Sequence, residues 1–442
     1  MARLLPALVA LPLLAGCNRY ETFLTTGAEQ ANFSNDADIL FVVDNSGSMQ
    51  EEAEALARNF DAFIARLTSA EGSNVATETL ADAADNFIRE HEPGSLFIDY
   101  QIGITTTSVM FGGGVSAGVD PGEAGLLVGP PIGRTADAAR QFRHQLICDA
   151  AFWNPGSTPR DPDFVCPAEE GVDPELPGTI SSDFLDCLCG AGAWQRPTGA
   201  GQEMGMEAAY MAMCRAAPEP PAGCYDFPSS APVAFVEGDE HSNEGFLREG
   251  ASTIVVVVTD EGDESPRKDG VGDTDVEPYV DAFAAFDAPV RFATIGPAWR
   301  DMDALCLGSA TAWGVERYQN LVTATGGLYL DITELAENCP MADFASRMDA
   351  LGGLLSQLRS RFALAAIPDA DTIRTWVDGV EIARSVLIDG SEETGDALYD
   401  DGWSYDAAEN AVAFHGDAVP GYNADVRIYY RPLAGTPREL PF

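Results

Sequence analysis

The 442-residue sequence predicts an α/β fold: a doubly wound, mostly parallel sheet carrying a cysteine-containing insertion and followed by a small all-β domain. Three observations predict it. Residues 39–43 (ILFVV) and 252–258 (STIVVVV) are unbroken apolar runs rich in β-branched side chains, the composition of strands buried on both faces of a parallel sheet. The segment that follows the first run, residues 50–67, repeats its apolar residues at three- and four-residue spacing, as a crossover helix does. Beyond residue 362 the period falls to two, and Asp-Gly, Glu-Asn and Pro-Gly turns separate the short runs, which marks an antiparallel sheet.

In chain order, Met1-Ala2-Arg3 and the apolar residues 4–14 form a charged n-region and an h-region too short to cross a bilayer as a mature helix. They end in Leu14-Ala15-Gly16-Cys17. Residues 1–17 resemble a bacterial lipoprotein signal, which implies that Cys17 becomes the lipidated first residue of the mature protein and that the protein sits in the cell envelope. Asn18 at the next position implies, by the same resemblance, sorting to an outer membrane. The polar residues 18–35 read as a tether. The α/β domain is assigned to residues 36–362. Its strand 39–43 leads into a helix over 50–67, with Ala53, Leu56, Phe60, Phe63, Ile64 and Leu67 on one face, and a second helix is expected over 79–89. A strand over 96–107 ends in Thr105, Thr106 and Thr107. Residues 108–197 then lose periodicity and fill with Gly, Pro, Asp and four cysteines, so they are expected to be a disulfide-tied insertion beside the site.

A helix over 201–216, a proline-rich loop over 218–232 and the strand 252–258 come next. The acidic residues 261–277, with Asp263, Glu264, Asp269, Asp273 and Asp275, do not fit an EF-hand and read as a solvated loop. A strand over 290–295, a helix over 316–325, a strand over 328–332 and a helix over 341–362 complete the layer. Phe362 is placed on the apolar face of that last helix. Residues 363–442 form the antiparallel domain.

Composition narrows the function. With 25 Lys and Arg against 70 Asp and Glu, the formal charge is −45, which repels nucleic acid and anionic lipid surfaces; membrane association therefore rests on the lipid anchor alone. Besides Cys17 there are eight cysteines: Cys148, Cys166, Cys187, Cys189, Cys214, Cys224, Cys306 and Cys339. An even number in an exported chain predicts disulfides. The local pairs Cys214 with Cys224 and Cys306 with Cys339 are expected first, leaving the other four to pair among themselves.

The chemistry is concentrated where strand 39–43 breaks into Asp44-Asn45-Ser46-Gly47-Ser48. One carboxylate and two hydroxyls within five residues offer hard oxygen ligands at the C-terminal edge of a sheet, where open α/β folds place their sites. This D-x-S-x-S run resembles the metal-ion-dependent adhesion site of von Willebrand factor type A domains, and Thr259-Asp260 after the second apolar strand resembles the aspartate motif of the same family. The Gly-rich turn at Thr198, before the helix, resembles its threonine loop, with Thr105–Thr107 as rivals for that role. The resemblance implies a Rossmann-like fold over residues 36–361, a Mg2+ ion (or Mn2+ or Ca2+) held by Asp44, Ser46, Ser48, Thr198 and Asp260, and a protein partner that offers an Asp or Glu to the metal. It implies adhesion or protein binding rather than catalysis. Two alternatives accompany it: a structural envelope lipoprotein whose metal serves only stability, and a magnesium-dependent phosphoryl hydrolase with Asp44 as nucleophile. Against the hydrolase, Ser46 stands where a second carboxylate is wanted, and Lys268, the sole lysine, lies in a polar loop.

Overall fold

The computed structural model describes residues 28–30, 36–46, 49, 52–53, 55–57, 59–60, 63–64, 99–109, 123–135, 137–151, 182–189, 203–226, 238–248, 251–267, 274–286, 290–297, 315–332, 344–364, 366–389, 398–407, 410–420 and 424–433. The signal segment with Cys17, the expected helix over 79–89, Ser48, Thr198, Cys166, Cys306 and Cys339 lie outside the described residues. The chain divides into two compact units, residues 34–359 with 421–423, and residues 1–33 with 360–420 and 424–442.

The strands in chain order are β1 (Ala28–Gln30), β2 (Ala37–Val43), β3 (Tyr100–Thr106), β4 (Ile132–Gly133), β5 (Ser252–Val258), β6 (Val290–Gly296), β7 (Leu328–Asp331), β8 (Arg361–Ala363), β9 (Pro368–Val377), β10 (Val380–Ile382), β11 (Leu387–Asp389), β12 (Leu398–Tyr399), β13 (Gly402–Asp406), β14 (Ala411–His415) and β15 (Val426–Pro432). The helices are α1 (Ala138–His144), α2 (Ser182–Cys189), α3 (Gly205–Ala216), α4 (Glu277–Phe283), α5 (Val315–Ala324) and α6 (Phe344–Ser360).

In the larger unit a six-stranded sheet runs β4-β3-β2-β5-β6-β7, parallel except for β4. β2 lies between β3 and β5, with Val43 level with Thr106 on one side and Val258 on the other. Its alternating residues feed two cores, as the two-residue period of a strand requires. Ile39, Phe41 and Val43 join the described helical residues between 52 and 64, α1 and α6 on one face. Leu40 and Val42 join α3, α4 and α5 on the other. Phe41 meets the rings of Phe60, Phe63 and Phe142 edge-on at 5.9, 5.8 and 5.0 Å. Every residue of α3 is buried, the state of a helix enclosed on all sides.

Two expectations in this unit are corrected. The stretch 108–197 is more than a disulfide-tied insertion beside the site, because β4 is a strand of the central sheet and Ile132, Phe142, Leu146 and Ile147 are fully buried in the first core. A two-residue strand has no period to read, and α1 (AARQFRH) runs on as a π-helix at Gln145–Ala151, which breaks the 3.6-residue repeat. The acidic stretch 261–277 is not simply solvated either, since Asp263 and Ser265 are buried. Disulfides link Cys214 to Cys224, as expected, and Cys148 to Cys189, while Cys187 is also disulfide-bonded. Among the described residues no helix is long and apolar enough to cross a membrane.

The smaller unit holds a four-stranded sheet ordered β1-β15-β9-β10, a three-stranded sheet β13-β14-β8 and the pair β11-β12, each antiparallel, with an isolated parallel bridge between Arg384 and Trp403. Asp378 and Gly379 have φ of 51° and 78° in the two-residue β9–β10 turn, the conformation a tight hairpin demands and Asp-Gly supplies. Phe362 belongs to β8 rather than to the preceding helix, and packs in this core edge-on to Phe414 at 5.4 Å. Residues 28–30, inside the stretch read as a tether, form β1 and pair with β15. Ladder pairing uses backbone groups alone, so the polar AEQ sequence of β1 carries no hydrophobic sign of it.

Candidate metal centre

Three neighbouring parallel strands end level with one another, and their ladder continues one residue further. The Thr107 N–H donates to Val43 O at 3.2 Å, Asp44 N–H to Val258 O at 2.9 Å and Thr259 N–H to Ile295 O at 3.1 Å. Thr107, Asp44 and Thr259 therefore stand side by side at the C-terminal edge, and all three are buried. Asp44 folds its carboxylate back on the turn after β2: Oδ1 accepts the Ser46 N–H at 2.8 Å, and Oδ2 accepts the Thr259 hydroxyl at 2.8 Å. Thr259 Oγ1 in turn accepts the Glu261 N–H at 3.0 Å. Asn45 is tied to β3 through the Ser108 hydroxyl at 2.8 Å.

The next residue on β5's side, Asp260, is also buried. From the start of α3, Glu203 enters with only 1% of its surface exposed. The Thr107 hydroxyl donates to Glu203 Oε2, the Met204 N–H donates to Thr107 O at 3.1 Å, and the Glu264 N–H donates to Glu203 O at 2.7 Å. Five carboxylates, those of Asp44, Glu203, Asp260, Glu261 and Glu264, thus act on one another. Burial, and then Asp260, push Asp44 up to about 7, against the hydrogen bonds from Ser46 and Thr259. Burial, and then Asp44, push Glu203 up to about 9, against the bond from Thr107. Burial, Asp260 and Glu264 raise Glu261.

Behind this edge the acidic loop clamps α3. Asp263 Oδ1 accepts the Met206 N–H at 3.2 Å, Ser265 Oγ accepts the Glu207 N–H at 3.0 Å, and fully buried Arg317 donates to Asp263 Oδ2 at 2.5 Å. The first turn of α3 is capped by side chains from another loop, which leaves its sequence without the usual N-cap signal. Arg267 completes the clamp through Glu207 at 2.9 and 3.2 Å.

Of the residues expected at the site, Asp44, Ser46 and Asp260 share this edge, whereas Ser48 and Thr198 fall outside the described residues. Thr107, weighed as a rival ligand, stands beside Asp44; Thr105 instead donates to Leu126 O at 2.9 Å. Glu203 was missed. Its sequence signal is an acid directly preceding a helix made mostly of apolar residues. Among the described residues no group of three or more His, Cys, Asp and Glu converges as a ligand set. An ion here would rest on two aspartates and hydroxyls, hard oxygen donors that suit Mg2+, Mn2+ or Ca2+. Mutually repelling buried carboxylates favour a cation, so the donor set fits one.

No family model and no curated protein matches the sequence. Among solved structures, proximal thread matrix protein 1 from the mussel byssus aligns over 77% of this chain and 52% of its own, at 11% identity and a TM-score of 0.32. A von Willebrand factor type A protein from Catenulispora acidiphila aligns over 90% and 57%, at 8% identity and 0.31. The adhesive tip pilin of Group B Streptococcus agalactiae aligns over 91% and 80%, at 9% and 0.28. The chain spans little more than half the length of the first two.

Proposed function

We propose that this chain is a lipid-anchored protein of the bacterial cell envelope whose von Willebrand factor type A-like unit binds a protein partner through a divalent cation, without catalysis. The observation that carries this reading is the convergence of Asp44 and Asp260 at one buried sheet edge, where burial and the neighbouring Asp260 both disfavour the charge of Asp44 and a divalent cation relieves both. Asp44, Ser46, Ser48, Thr198 and Asp260 are the residues proposed to hold Mg2+, or Mn2+ or Ca2+. With two formal negatives in that set, the bound ion keeps an attraction for an incoming carboxylate, so the partner is one that presents an Asp or Glu. Cys17 supplies the membrane attachment, to the outer membrane.

A cation used only for stability is the second reading, and the full burial of Asp44 favours it. The hydrolase reading has less support, since both Asp44 oxygens already accept hydrogen bonds and neither is poised as a nucleophile. The test is the thermal midpoint of the mature protein after chelation and again with saturating Mg2+, Mn2+ or Ca2+, beside Asp260→Ala. Binding to the native state raises the midpoint. A rise in the wild type that Asp260→Ala abolishes supports the site; no rise with any of the three ions removes it. Cation-dependent capture of an acidic partner then separates binding from mere stability.

A further inference from the structure

The strand register sets a hydroxyl beside the Asp44 turn that the D-x-S-x-S motif does not include. Thr107 follows β3 directly, its N–H bonded to Val43 O, and both its main chain and its side chain are fixed from the far side by the start of α3. A hydroxyl has one proton and two lone pairs. Here the proton is committed to the Glu203 carboxylate, so whatever lies on the other side of Thr107 Oγ1 meets lone pairs only. Glu203 is itself fixed: it is buried, and its own carbonyl accepts the Glu264 N–H at 2.7 Å from the loop that follows Asp260. A carboxylate that accepts a ligand's proton fixes that ligand's orientation and makes its oxygen a better donor, which is the role outer carboxylates play around metal-bound histidines.

We infer that Thr107 is a hydroxyl ligand of the cation at this edge and that Glu203 is the positioning residue that turns its lone pairs toward the ion. This rests on the cation reading above and deepens it, because it moves the third hydroxyl from the Gly-rich turn at Thr198 to the end of β3. It also gives the buried Glu203 a purpose. It acts through the Thr107 hydroxyl and occupies no coordination position itself.

The experiment is calorimetric titration of the full mature protein with Mg2+ and with Mn2+, comparing wild type, Thr107→Val, Thr107→Ser, Glu203→Gln and Thr198→Ala. The expected result is a loss of affinity of about tenfold or more in Thr107→Val and in Glu203→Gln, restoration to near wild type in Thr107→Ser, and a smaller loss in Thr198→Ala. Midpoints of the chelated proteins report folding separately; a purely packing role for Thr107 would lower the chelated midpoint in Thr107→Val and leave affinity unchanged. Wild-type binding that survives in Thr107→Val overturns the inference and returns the role to Thr198. A wild type that binds neither ion overturns the cation reading and this inference together.

Discussion

β2 carries a buried aspartate near its start and is followed by another at its end, and the two are finished in opposite ways. At the N-terminal edge Asp38, 0% exposed, accepts the Arg248 N–H and Nε, both at 2.7 Å, while the same guanidinium reaches Asp99 Oδ2 at 3.0 Å and the Ala37 and Asp99 carbonyls. At the C-terminal edge Asp44, equally buried, receives an amide and a hydroxyl, and its strongest charged neighbour is another carboxylate. The Asp263–Arg317 pair repeats the first solution a few residues beyond the second. A chain with 25 basic residues in 442 therefore places arginine against buried acids that only hold the fold, and finishes Asp44 otherwise. The difference separates a carboxylate matched by a guanidinium from one that faces another carboxylate, and the second setting is the one the proposed cation site requires.

The sharpest way to break this comparison is to remove the guanidinium. Arg248→Met, which strands Asp38 without its partner, is expected to cost about 3–5 kcal/mol of stability by chemical denaturation; a cost below about 1 kcal/mol would mean that Asp38 does not depend on its partner and that the two edges are alike. At the other edge, Asp260→Ala should leave the chelated protein as stable as the wild type or more so, because it removes a repelling charge, while cancelling the rise in midpoint on adding Mg2+.

The pH dependence tests the same edge. A carboxyl that ionises at about 3.8 when exposed and at about 7 in Asp44, or near 4.5 and about 9 in Glu203, binds its proton more tightly in the folded state. That contribution is complete below pH ~4 and is lost as pH rises through 7 and towards 9, at up to about 1.4 kcal/mol per unit for each group. The chelated protein should therefore lose stability from pH 5 to pH 8, and saturating Mg2+ should flatten the slope. A chelated midpoint that climbs across that range would contradict the assignment. The smallest effect belongs to Arg374→Ala on the outer face of β9, whose pair with Glu381 is about half exposed on both sides and is worth about 0.2–1 kcal/mol.

What could be read from the sequence follows the range of the interactions. β2 and β5 were legible because burial on both faces leaves a continuous apolar run, and α3 and α5 because their apolar faces repeat locally. Asp44 and Asp260 were legible because each closes such a run. β4 and α1 were not, since their place is set by an edge-strand ladder and by Phe142 filling the space among Phe41, Phe60 and Phe63. Asp263 read as solvated because nothing near it in sequence announces Arg317, and Glu203 passed unnoticed because its partner Thr107 is 96 residues away. Phe362 was misplaced by one element because an apolar residue continues a helical face and begins a strand equally well.

The pairing of β1 with β15 has a consequence for the order in which the chain folds. Ala28 lies opposite Tyr430, and Gln30 opposite Ile428, so the smaller unit draws its strands from both sides of residues 34–359, which make up nearly all of the larger unit. During synthesis, residues 34–359 possess all the strands of the six-stranded sheet before β15 exists, while β1 must wait for β15. Such a far-separated contact carries a high closure entropy when the intervening chain is unfolded. Prior folding of the larger unit shortens that loop to the span of a compact body. The smaller unit is thus the late step, and truncation after residue 425 should release β1 while leaving the six-stranded sheet complete.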